Sequence, residues 1–352
     1  MKIRKLYCLL LALLMIILCC GCGEKEETES DNSSSSDNSS FSKPVMTETQ
    51  LEYKDKLPKA WQRAINHINT EKEGKFIFAI QTDTHFAGSD EEAGINLSNL
   101  SNTIDLSFYA HLGDIIRGYE DPVLDDPDNM RKSMDEMVRR YTEGANCPVM
   151  MTVGNHDANS MWFNKYNRDV TGLITEKEHY SRIVKPLKEH NGEKMVNNGE
   201  SVYHYIDFPE YQIRAIMLNT TDSKFSNGQY STFNISGEQV SWFEKEALDT
   251  DYSVLVMAHV PLIDSFSEKN RVSNSERILE AVENFVNGGG DFIAYFYGHT
   301  HEQEEAIDGN GRVHLSFKKG GEIAEVVMID KEERQINTVG LGNVRMRNKI
   351  EY

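Results

Sequence analysis

The chain has little cysteine. Four of its five cysteines lie within the first 22 residues, and beyond them only Cys147 remains. A domain with one cysteine cannot form an internal disulfide, so its stability must come from a hydrophobic core. A chain of about 300 residues is long enough to bury such a core. We expect Cys147, which precedes an apolar run, to be a buried small hydrophobe and not a reactive thiol.

Positive charge is also scarce. The sequence has 37 Lys and Arg against 56 Asp and Glu, which gives a net charge of −19. An acidic field repels polyanions, and nucleic-acid binding depends on cationic side chains that neutralise phosphates. The composition therefore disfavours bulk nucleic acid as a partner. A small phosphate ester is not excluded, because bound metal ions would dominate the field at a binding site.

The sequence has only one long apolar run, and it lies near the start. Leu6–Leu18 is about 13 residues long, shorter than the roughly 20 that span a bilayer, and it follows three basic residues. This pattern is typical of a secretory signal. Because a glycine and then Cys22 end the run, it resembles a bacterial lipoprotein signal over residues 1–22, with Cys22 as the lipidated residue. An ordinary cleaved signal and an uncleaved anchor are the alternatives.

The rest of the chain divides into a tether and a domain. Residues 23–45 are Glu, Ser, Asp and Asn with almost no apolar content, so we expect a disordered acidic tether. Residues 46–352 are predicted to form one domain. Stable anchoring requires the several acyl chains that lipoprotein processing provides. We therefore expect an extracytoplasmic protein that its N-terminal lipid anchors to the bacterial cell membrane; the sequence does not indicate an oligomeric state.

Five short polar segments of the domain each follow an apolar, strand-like run. Such runs, bounded by polar loops, are typical of strands buried on both faces. In open α/β sheets, ligands bind outside the carboxyl ends of the strands, so we expect the five segments to converge. The segments are Asp83-Thr84-His85, Gly113-Asp114, Gly154-Asn155-His156-Asp157, Ala258-His259 and Gly298-His299-Thr300-His301.

Three segments have helical periodicity. Residues 58–70 precede the first strand-like run, while 130–143 and 275–287 lie between strands, and three glycines end the last one. Alternating strands and helices predict an α/β domain. The tail after His301 alternates in polarity and is predicted to form closing antiparallel strands.

The longest interval between the segments runs from Asn155 to His259. We predict a substrate-shaping insertion within it, at about 158–235. Its second half is predicted to hold a hairpin that pairs 202–206 with 213–218. A helix is predicted to start at Ser236, with Ser236 and Gln239 forming a capping box.

The residue types in the five segments suit metal ions. Carboxylate and imidazole bind Mn, Fe and Zn, and the sequence does not choose among these metals. Asp83 and His85 lie two apart, so on an extended strand end both would point the same way and could bind one ion. His299 and His301 have the same spacing. The two oxygens of Asp114 could bridge two ions, and such a pair of ions can activate a bridging water and clamp phosphate oxygens.

A leaving alkoxide needs a proton, and His156 is placed to donate it. Asp157 or Asp114 is expected to orient the His156 ring. Arg117 lies close behind Asp114 and could reach a phosphate oxygen, the alternative being a solvated or ion-paired arginine.

Two further features near the segments have both a structural and a functional interpretation. His111 could support Asp114 or could be an ordinary core residue. An aromatic group after the third segment could form a substrate rim or could pack under the insertion. Its members are Trp162, Phe163 and Tyr166.

The ordered set Asp-x-His, Gly-Asp, Gly-Asn-His-Asp, His and Gly-His-Thr-His resembles the calcineurin-like metallophosphoesterase superfamily. The resemblance implies an α/β fold of two mixed β-sheets packed as a sandwich and flanked by helices. It implies two metal ions, a bridging hydroxide as nucleophile and His156 as leaving-group acid. One ion would be held by Asp83, His85, Asp114 and His301, and the other by Asp114, Asn155, His259 and His299.

Two variants of this superfamily do not fit the sequence. Purple acid phosphatases have glycine in place of His85 and a tyrosine ligand soon after the second aspartate, whereas Ile115-Ile116-Arg117-Gly118 follows Asp114 here. Secreted nucleotidases add a large C-terminal domain, and too few residues follow His301 for one.

The predicted function is metal-dependent hydrolysis of a small phosphate ester, either a monoester or a diester. A nuclease or nucleotide phosphodiesterase on the same site is the alternative within enzymes. A non-catalytic surface protein that binds metal is the alternative outside them.

Overall fold

The computed structural model describes the greater part of the predicted domain. The predicted signal, the tether and Cys22 lie outside the described residues, as do Trp162, Phe163 and Tyr166. Among the described helices, none is long and apolar enough to cross a membrane. The described residues are 46–87, 92–118, 126–160, 164, 170–222, 225–226, 228–267 and 269–352.

The elements alternate along the chain as the sequence predicts. The helices are α1 (Glu48–Lys56), α2 (Lys59–Glu71), α3 (Ile95–Ser101), α4 (Pro127–Thr142), α5 (Glu176–His179), α6 (Lys185–Asn191), α7 (Gly237–Trp242) and α8 (Ser275–Asn287). Single π-helical turns follow α5 and α7, at Tyr180–Val184 and Phe243–Ala247, and 3₁₀ turns lie at Val170–Gly172 and Gly192–Lys194. The strands are β1 (Phe76–Gln81), β2 (Phe108–His111), β3 (Val149–Met151), β4 (Met195–Asn197), β5 (His204–Phe208), β6 (Ile213–Met217), β7 (Phe225–Ser226), β8 (Gln229–Tyr230), β9 (Ser253–Ala258), β10 (Phe292–Tyr297), β11 (Glu305–Ile307), β12 (Val313–Ser316), β13 (Ala324–Asp330), β14 (Gln335–Leu341) and β15 (Arg347–Glu351).

Two mixed sheets form the centre of the domain. The first has the strand order β15-β14-β13-β1-β2-β3, in which β1, β2 and β3 are parallel and β13 is antiparallel to β1. The second has the order β11-β12-β10-β9-β6-β5-β4, in which β12, β10, β9 and β6 are parallel. Strands β7 and β8 pair separately. The predicted fold class is confirmed.

Aromatic side chains join the two sheets face to face. Phe78 of β1 stacks on Phe108 of β2 with ring centroids 4.6 Å apart, and meets Phe296 of β10 edge-on at 5.6 Å. All three rings are fully buried in a core that also includes side chains of α2, α3 and α4. Burial of each ring contributes about 1.5–3 kcal/mol. A second cluster, with Val240 of α7 and Ile278 of α8, covers the other face of the second sheet, so the layers run helix, sheet, sheet, helix.

Most of the predicted elements are confirmed. The segment 58–70 corresponds to α2, 130–143 overlaps α4, and 275–287 is α8. The predicted hairpin is β5 paired antiparallel with β6. The prediction that all the late strands are antiparallel is wrong for β12, which runs parallel to β10. Strand β11 reverses the chain between them, so β12 runs in the direction of β10.

The helix start at Ser236 is confirmed, but the capping box is not. The Ser236 hydroxyl accepts the Gln239 N–H at 3.2 Å, as an N-cap should. The Gln239 side chain pairs instead with the main chain of Asn219, through bonds of 2.7 and 2.8 Å. Gln239 is fully buried, so its amide requires two internal partners, and one main-chain residue supplies both.

Cys147 lies just before β3 and is half-buried against the main core. Burial raises the pKa of its thiol to about 12. The thiolate is the reactive form of cysteine, so at pH 8 the folded protein holds very little of it.

We expect Cys147 in the folded chain to react with iodoacetamide at pH 8 at least about 100-fold more slowly than in the denatured chain. Peptide mass mapping of the full-length protein, labelled for matched times with and without denaturant, would measure both rates at this one residue. Similar rates in the two states would contradict an inert thiol.

Candidate metal centre

The candidate ligands all follow the carboxyl ends of central strands. Strands β1, β2 and β3 run parallel in the first sheet, and β9 and β10 run parallel in the second. Their carboxyl ends meet at one edge of the sandwich, and the predicted convergence is observed. The residues placed there are Asp83 and His85 after β1, Asp114 after β2, Asn155 after β3, His259 after β9, and His299 and His301 after β10.

The spacing argument assumed an extended backbone at this edge of the sandwich. The structure shows that the backbone there is not extended. The φ angles of Asp83, His85, Asp114, His299 and His301 are 53°, 46°, 52°, 66° and 64°. These are left-handed conformations, which cost a residue with a β-carbon about 1–2 kcal/mol each. The ligands therefore reach one another through tight left-handed turns and not through strand alternation. Strain concentrated in this way is typical of a functional site.

The main chain ties neighbouring turns together. The N–H groups of Asp83 and His85 donate to the carbonyls of Gly113 and Asp114, both at 3.0 Å. A β-carbon at Gly154 would overlap the carboxylate and main-chain nitrogen of Asp114. Glycine at this position therefore allows the third segment to approach the second.

Four side chains form the first cluster, and their ligand atoms lie within 4.8 Å of one another. They are Asp83, His85, Asp114 and His301. His301 Nε2 lies 3.2 Å from Asp83 Oδ1 and 3.3 Å from His85 Nε2. His85 Nε2 lies 3.8 Å from Asp114 Oδ2. This is the set that the family resemblance implies for one metal ion.

The second cluster contains Asp114, His259 and His299. His259 Nε2 is 3.3 Å from Asp114 Oδ2, 3.3 Å from His299 Nδ1 and 3.2 Å from Asn155 Oδ1. The other ring nitrogen of His259, Nδ1, donates to the Leu112 carbonyl at 2.9 Å. That bond directs Nε2 into the cluster. Asp114 thus belongs to both clusters, and His299 and His301 lie in different clusters, as the family resemblance implies.

Two buried carboxylates give the centre its negative charge. Burial opposes their ionisation, but nearby groups, with His259 first among them, together outweigh it and hold the pKa of both Asp83 and Asp114 below the usual range. Asp83 Oδ1 is buried without a well-directed hydrogen bond from any described residue. Buried anionic oxygens require a positive counter-charge.

The imidazoles suit metal binding as well. Burial lowers the pKa of His85 to about 4, so this ring is neutral at pH 7 and has a lone pair to offer. Burial also acts to lower the pKa of His259, but the nearby carboxylates, with Asp114 first among them, together outweigh it and raise that pKa to about 9. A divalent cation competes for the same carboxylates and displaces such a proton. Donor types, charge and geometry therefore fit two divalent cations.

His156 stands between Asp114 and the rim of the centre. Its Nε2 lies 3.9 Å from Asp114 Oδ2, and its ring centroid lies 4.5 Å from that of His85. Its Nδ1 pairs with the Arg117 carbonyl at 2.5 Å. Because a carbonyl only accepts, the proton of this bond is on Nδ1, and Nε2 faces the centre.

Asp157 does not orient His156, and that expectation is corrected. Its buried carboxylate accepts three main-chain N–H groups, from Ile115, Ile116 and Gly154, at 3.1, 3.0 and 2.7 Å. Burial and the charge of Asp114 nevertheless raise the Asp157 pKa to about 7. Asp157 therefore links the turn after β2 to the turn after β3 through hydrogen bonds. The Arg117 carbonyl, and not Asp157, orients the His156 ring.

The remaining candidates lie at the margin of the centre. Arg117 lines a cavity of about 40 Å³ beside Asp126 and Asn129, at the start of α4. Its contact with a phosphate oxygen stays a prediction.

Two residues that the sequence analysis did not single out do touch the ligands. Thr82 Oγ1 donates to Asp83 Oδ2 at 2.6 Å, and the Phe233 ring meets the His299 ring edge-on at 5.4 Å. No spacing pattern marked either residue.

Comparison with known proteins identifies the family. A family model for the calcineurin-like phosphoesterases matches residues 76–303, which contain all seven candidate ligands. The chain belongs to the calcineurin-like phosphoesterase family. It is accordingly a phosphoric ester hydrolase, and its two clusters support dependence on metal.

The phosphoesterase is similar in fold to a solved structure. A dimetal phosphatase from Danio rerio aligns with a TM-score of 0.53 at 12% identity, over 79% of this chain and 99% of that one. A 5'-nucleotidase from Candida albicans aligns with a TM-score of 0.47 at 16% identity, over 75% of this chain and 51% of that one. The first likeness supports the fold alone, and the second is too low to carry an argument. No curated protein matches the sequence.

The phosphoesterase has a pocket of about 150 Å³ that is lined by the segments after β3 and after β6. Part of it is formed by residues after β6, the strand next to β9, and Thr221 Oγ1 donates to the Val153 carbonyl just before Asn155. Burial and the carboxyls of Asp222 and Glu238 raise the pKa of Glu176 in the pocket to about 7. All the lining residues fall within the predicted insertion: Ala158, Leu173, Ile174, Thr175, Glu176, His179, Asn219, Thr221, Asp222 and Tyr230.

Proposed function

We propose that this phosphoesterase hydrolyses small phosphate esters at a centre of two metal ions that share Asp114. The observation that carries the proposal is the position of the Asp114 carboxylate, which belongs to both ligand clusters. Asp83, His85 and His301 would complete the first site. Asn155, His259 and His299 would complete the second. Two bound cations would supply an activated water as nucleophile and would offset the charge of the phosphate.

The chain itself supplies the alignment and a proton. Left-handed turns and main-chain bonds fix the ligands before substrate arrives, so little reorganisation is needed during reaction. His156, held through Nδ1 by the Arg117 carbonyl, presents Nε2 to the leaving oxygen. In the form of the ring that carries a proton on both nitrogens, donation of the Nε2 proton to that oxygen would complete the cleavage and leave the proton on Nδ1 in place.

Electrostatics favour a small substrate over a polymer. The net charge is −19, and the pocket in the predicted insertion has Glu176 and Asp222 in its wall. A nucleic-acid chain would bring many phosphates into this field without the lysines and arginines that neutralise them. A nuclease or nucleotide phosphodiesterase is therefore the weaker candidate, and a non-catalytic metal-binding protein is the weakest.

The test is metal-dependent turnover of small model esters. The full-length protein would be chelated, reloaded with Mn, Zn or Fe, and assayed with p-nitrophenyl phosphate, bis-p-nitrophenyl phosphate and a single-stranded oligonucleotide. We expect hydrolysis of at least one small ester only after reloading, with little action on the oligonucleotide. Faster turnover of the oligonucleotide would favour the nuclease, and metal binding without turnover of any of the three would favour the binding protein.

We further propose that the enzyme is anchored outside the cytoplasm through a lipid on Cys22. The support is the basic start, the short apolar run and the glycine before Cys22. Cys22→Ser is expected to abolish incorporation of labelled palmitate and to move the protein from the membrane fraction. Expression in a bacterial host, followed by fractionation, measures both. Retention of label in the variant would contradict the proposal.

A further inference from the structure

We propose that His111 is a positioning residue that fixes the spacing of the first two ligand-bearing turns by bonding to both. The inference rests on the proposed function, because those turns carry Asp83, His85 and Asp114. His111 itself touches no metal-binding atom. It is the last residue of β2 and is fully buried.

Both nitrogens of the His111 ring are engaged, and their roles can be deduced. Nδ1 accepts the N–H of Gly113 at 3.1 Å, so Nδ1 carries no proton. Nε2 lies 3.1 Å from Thr84 Oγ1, and that hydroxyl gives its own proton to the Ile115 carbonyl at 2.8 Å. The Nε2 proton must therefore be donated to Thr84. A neutral ring that carries its proton on Nε2 therefore satisfies the hydrogen-bonding groups of Gly113, Thr84 and Ile115 together.

The two partners of the ring lie at the critical points of the turns. Thr84 is flanked by Asp83 and His85 on the first turn. Gly113 directly precedes Asp114 on the second, and its φ of 94° starts the left-handed bend. Rotation or shift of the His111 ring would therefore displace ligands of both clusters at once.

Hydrophobic packing alone would not require a histidine here. The ring meets Tyr141 edge-on at 5.3 Å, in a space that an aromatic hydrocarbon could also fill. An apolar residue would leave the Gly113 N–H buried without this acceptor and the Thr84 oxygen without this donor. Each such loss costs about 1–3 kcal/mol. The two hydrogen bonds of the ring, and not its volume, therefore distinguish histidine from an apolar residue at position 111.

The test distinguishes the effect of losing the His111–Thr84 bond from the effect of a general loss of stability. His111→Asn retains an acceptor for Gly113 but cannot reach Thr84, and Thr84→Val removes the hydroxyl with little change of shape. Loss of a bond that orients metal ligands lowers metal affinity about 10–100-fold. We expect both variants to show this loss in full-length protein, measured as competition for Zn²⁺ or Mn²⁺ with a chromophoric chelator. The double variant should bind about as weakly as Thr84→Val alone, because Thr84→Val already removes the His111–Thr84 bond together with the bond from Thr84 to the Ile115 carbonyl.

Two comparisons guard against a purely structural effect. Thr84→Ser keeps the hydroxyl and should recover most of the affinity that Thr84→Val loses. His204→Asn changes another fully buried histidine, on β5, whose Nδ1 bonds to the Val202 carbonyl at 2.8 Å. It should lower the melting temperature of the metal-free protein while leaving metal affinity unchanged. If His111→Asn fails to fold, the Thr84 pair carries the test alone.

The outcomes distinguish this inference from the proposed function. Wild-type metal affinity in both His111→Asn and Thr84→Val, or additive losses in the double variant, would overturn the positioning role while the hydrolytic function stands. A wild-type protein that binds two metal ions but hydrolyses no ester would overturn the function and still allow the affinity test. A wild-type protein that binds no metal would overturn both.

Discussion

Asp114→Asn is expected to abolish metal-dependent hydrolysis almost completely. The substitution removes one negative charge that both ligand clusters share. Loss of about 4 kcal/mol of charge stabilisation corresponds to a roughly 1000-fold fall in kcat/KM. No other candidate ligand belongs to both clusters, so substitution of His85 or His299 should impair mainly one metal site.

Asp114→Asn removes the charge of the side chain while nearly preserving its shape. Asp114 Oδ1 accepts the main-chain N–H of His156 at 2.8 Å, and the carbonyl oxygen of asparagine can do the same. The side chain still fits beside Gly154, where no room exists for a β-carbon. In the metal-free protein the change removes the repulsion between Asp114 and Asp83, but it also removes the attraction between Asp114 and protonated His259. Because the pKa of Asp114 lies below its usual range, the attraction is the larger effect, and the metal-free variant should unfold at a lower temperature than the metal-free wild type.

Metal-induced stabilisation provides the second measurement. Metal at 100 times its dissociation constant should stabilise the wild type by about 2.7 kcal/mol, and the variant should gain much less. Asp251→Asn is the matched control, because this exposed aspartate precedes β9 at the end of the strand opposite His259. It should retain both activity and stabilisation. Near-normal turnover in Asp114→Asn would exclude a centre built on a shared carboxylate.

The sequence predicted the ligands well because one physical rule governs them. Buried parallel strands can be recognised from apolar runs, and their carboxyl ends must share an edge. Asp83, Asp114 and His259 follow such runs, and the structure gathers them. The same rule could not show how His299 and His301 divide, because their left-handed φ angles reverse the direction that strand alternation would give.

Buried polar groups were harder to predict. Asp157 looked like a partner for its neighbour His156, but its carboxylate serves main-chain N–H groups of another turn. Gln239 matched a capping box, yet it pairs with Asn219, twenty positions earlier. In both cases the partner is near in space and distant in sequence. Local spacing carries no information about such partners, and burial decides among them.

His156→Asn is expected to slow the enzyme in a way that depends on the leaving group. Asparagine can still donate an N–H to the Arg117 carbonyl, which holds the present ring, but it cannot supply a proton at the position of Nε2. An alkyl phosphate releases a strongly basic alkoxide, so loss of the acid should lower kcat about 10²–10⁴-fold. The nitrophenolate of p-nitrophenyl phosphate leaves without a proton, and there the loss should stay within about tenfold.

The comparison of two esters on one variant separates proton donation from other roles of His156. A residue that only binds phosphate contacts the part common to both esters, so its loss would slow both equally. A residue that donates to the leaving oxygen acts on the part that differs. Equal losses on an alkyl ester and the nitrophenyl ester, at saturating metal, would therefore remove His156 as the acid. A larger loss on the alkyl ester, with unchanged metal affinity, would place the proton transfer at Nε2, the ring atom that faces the centre beside Asp114.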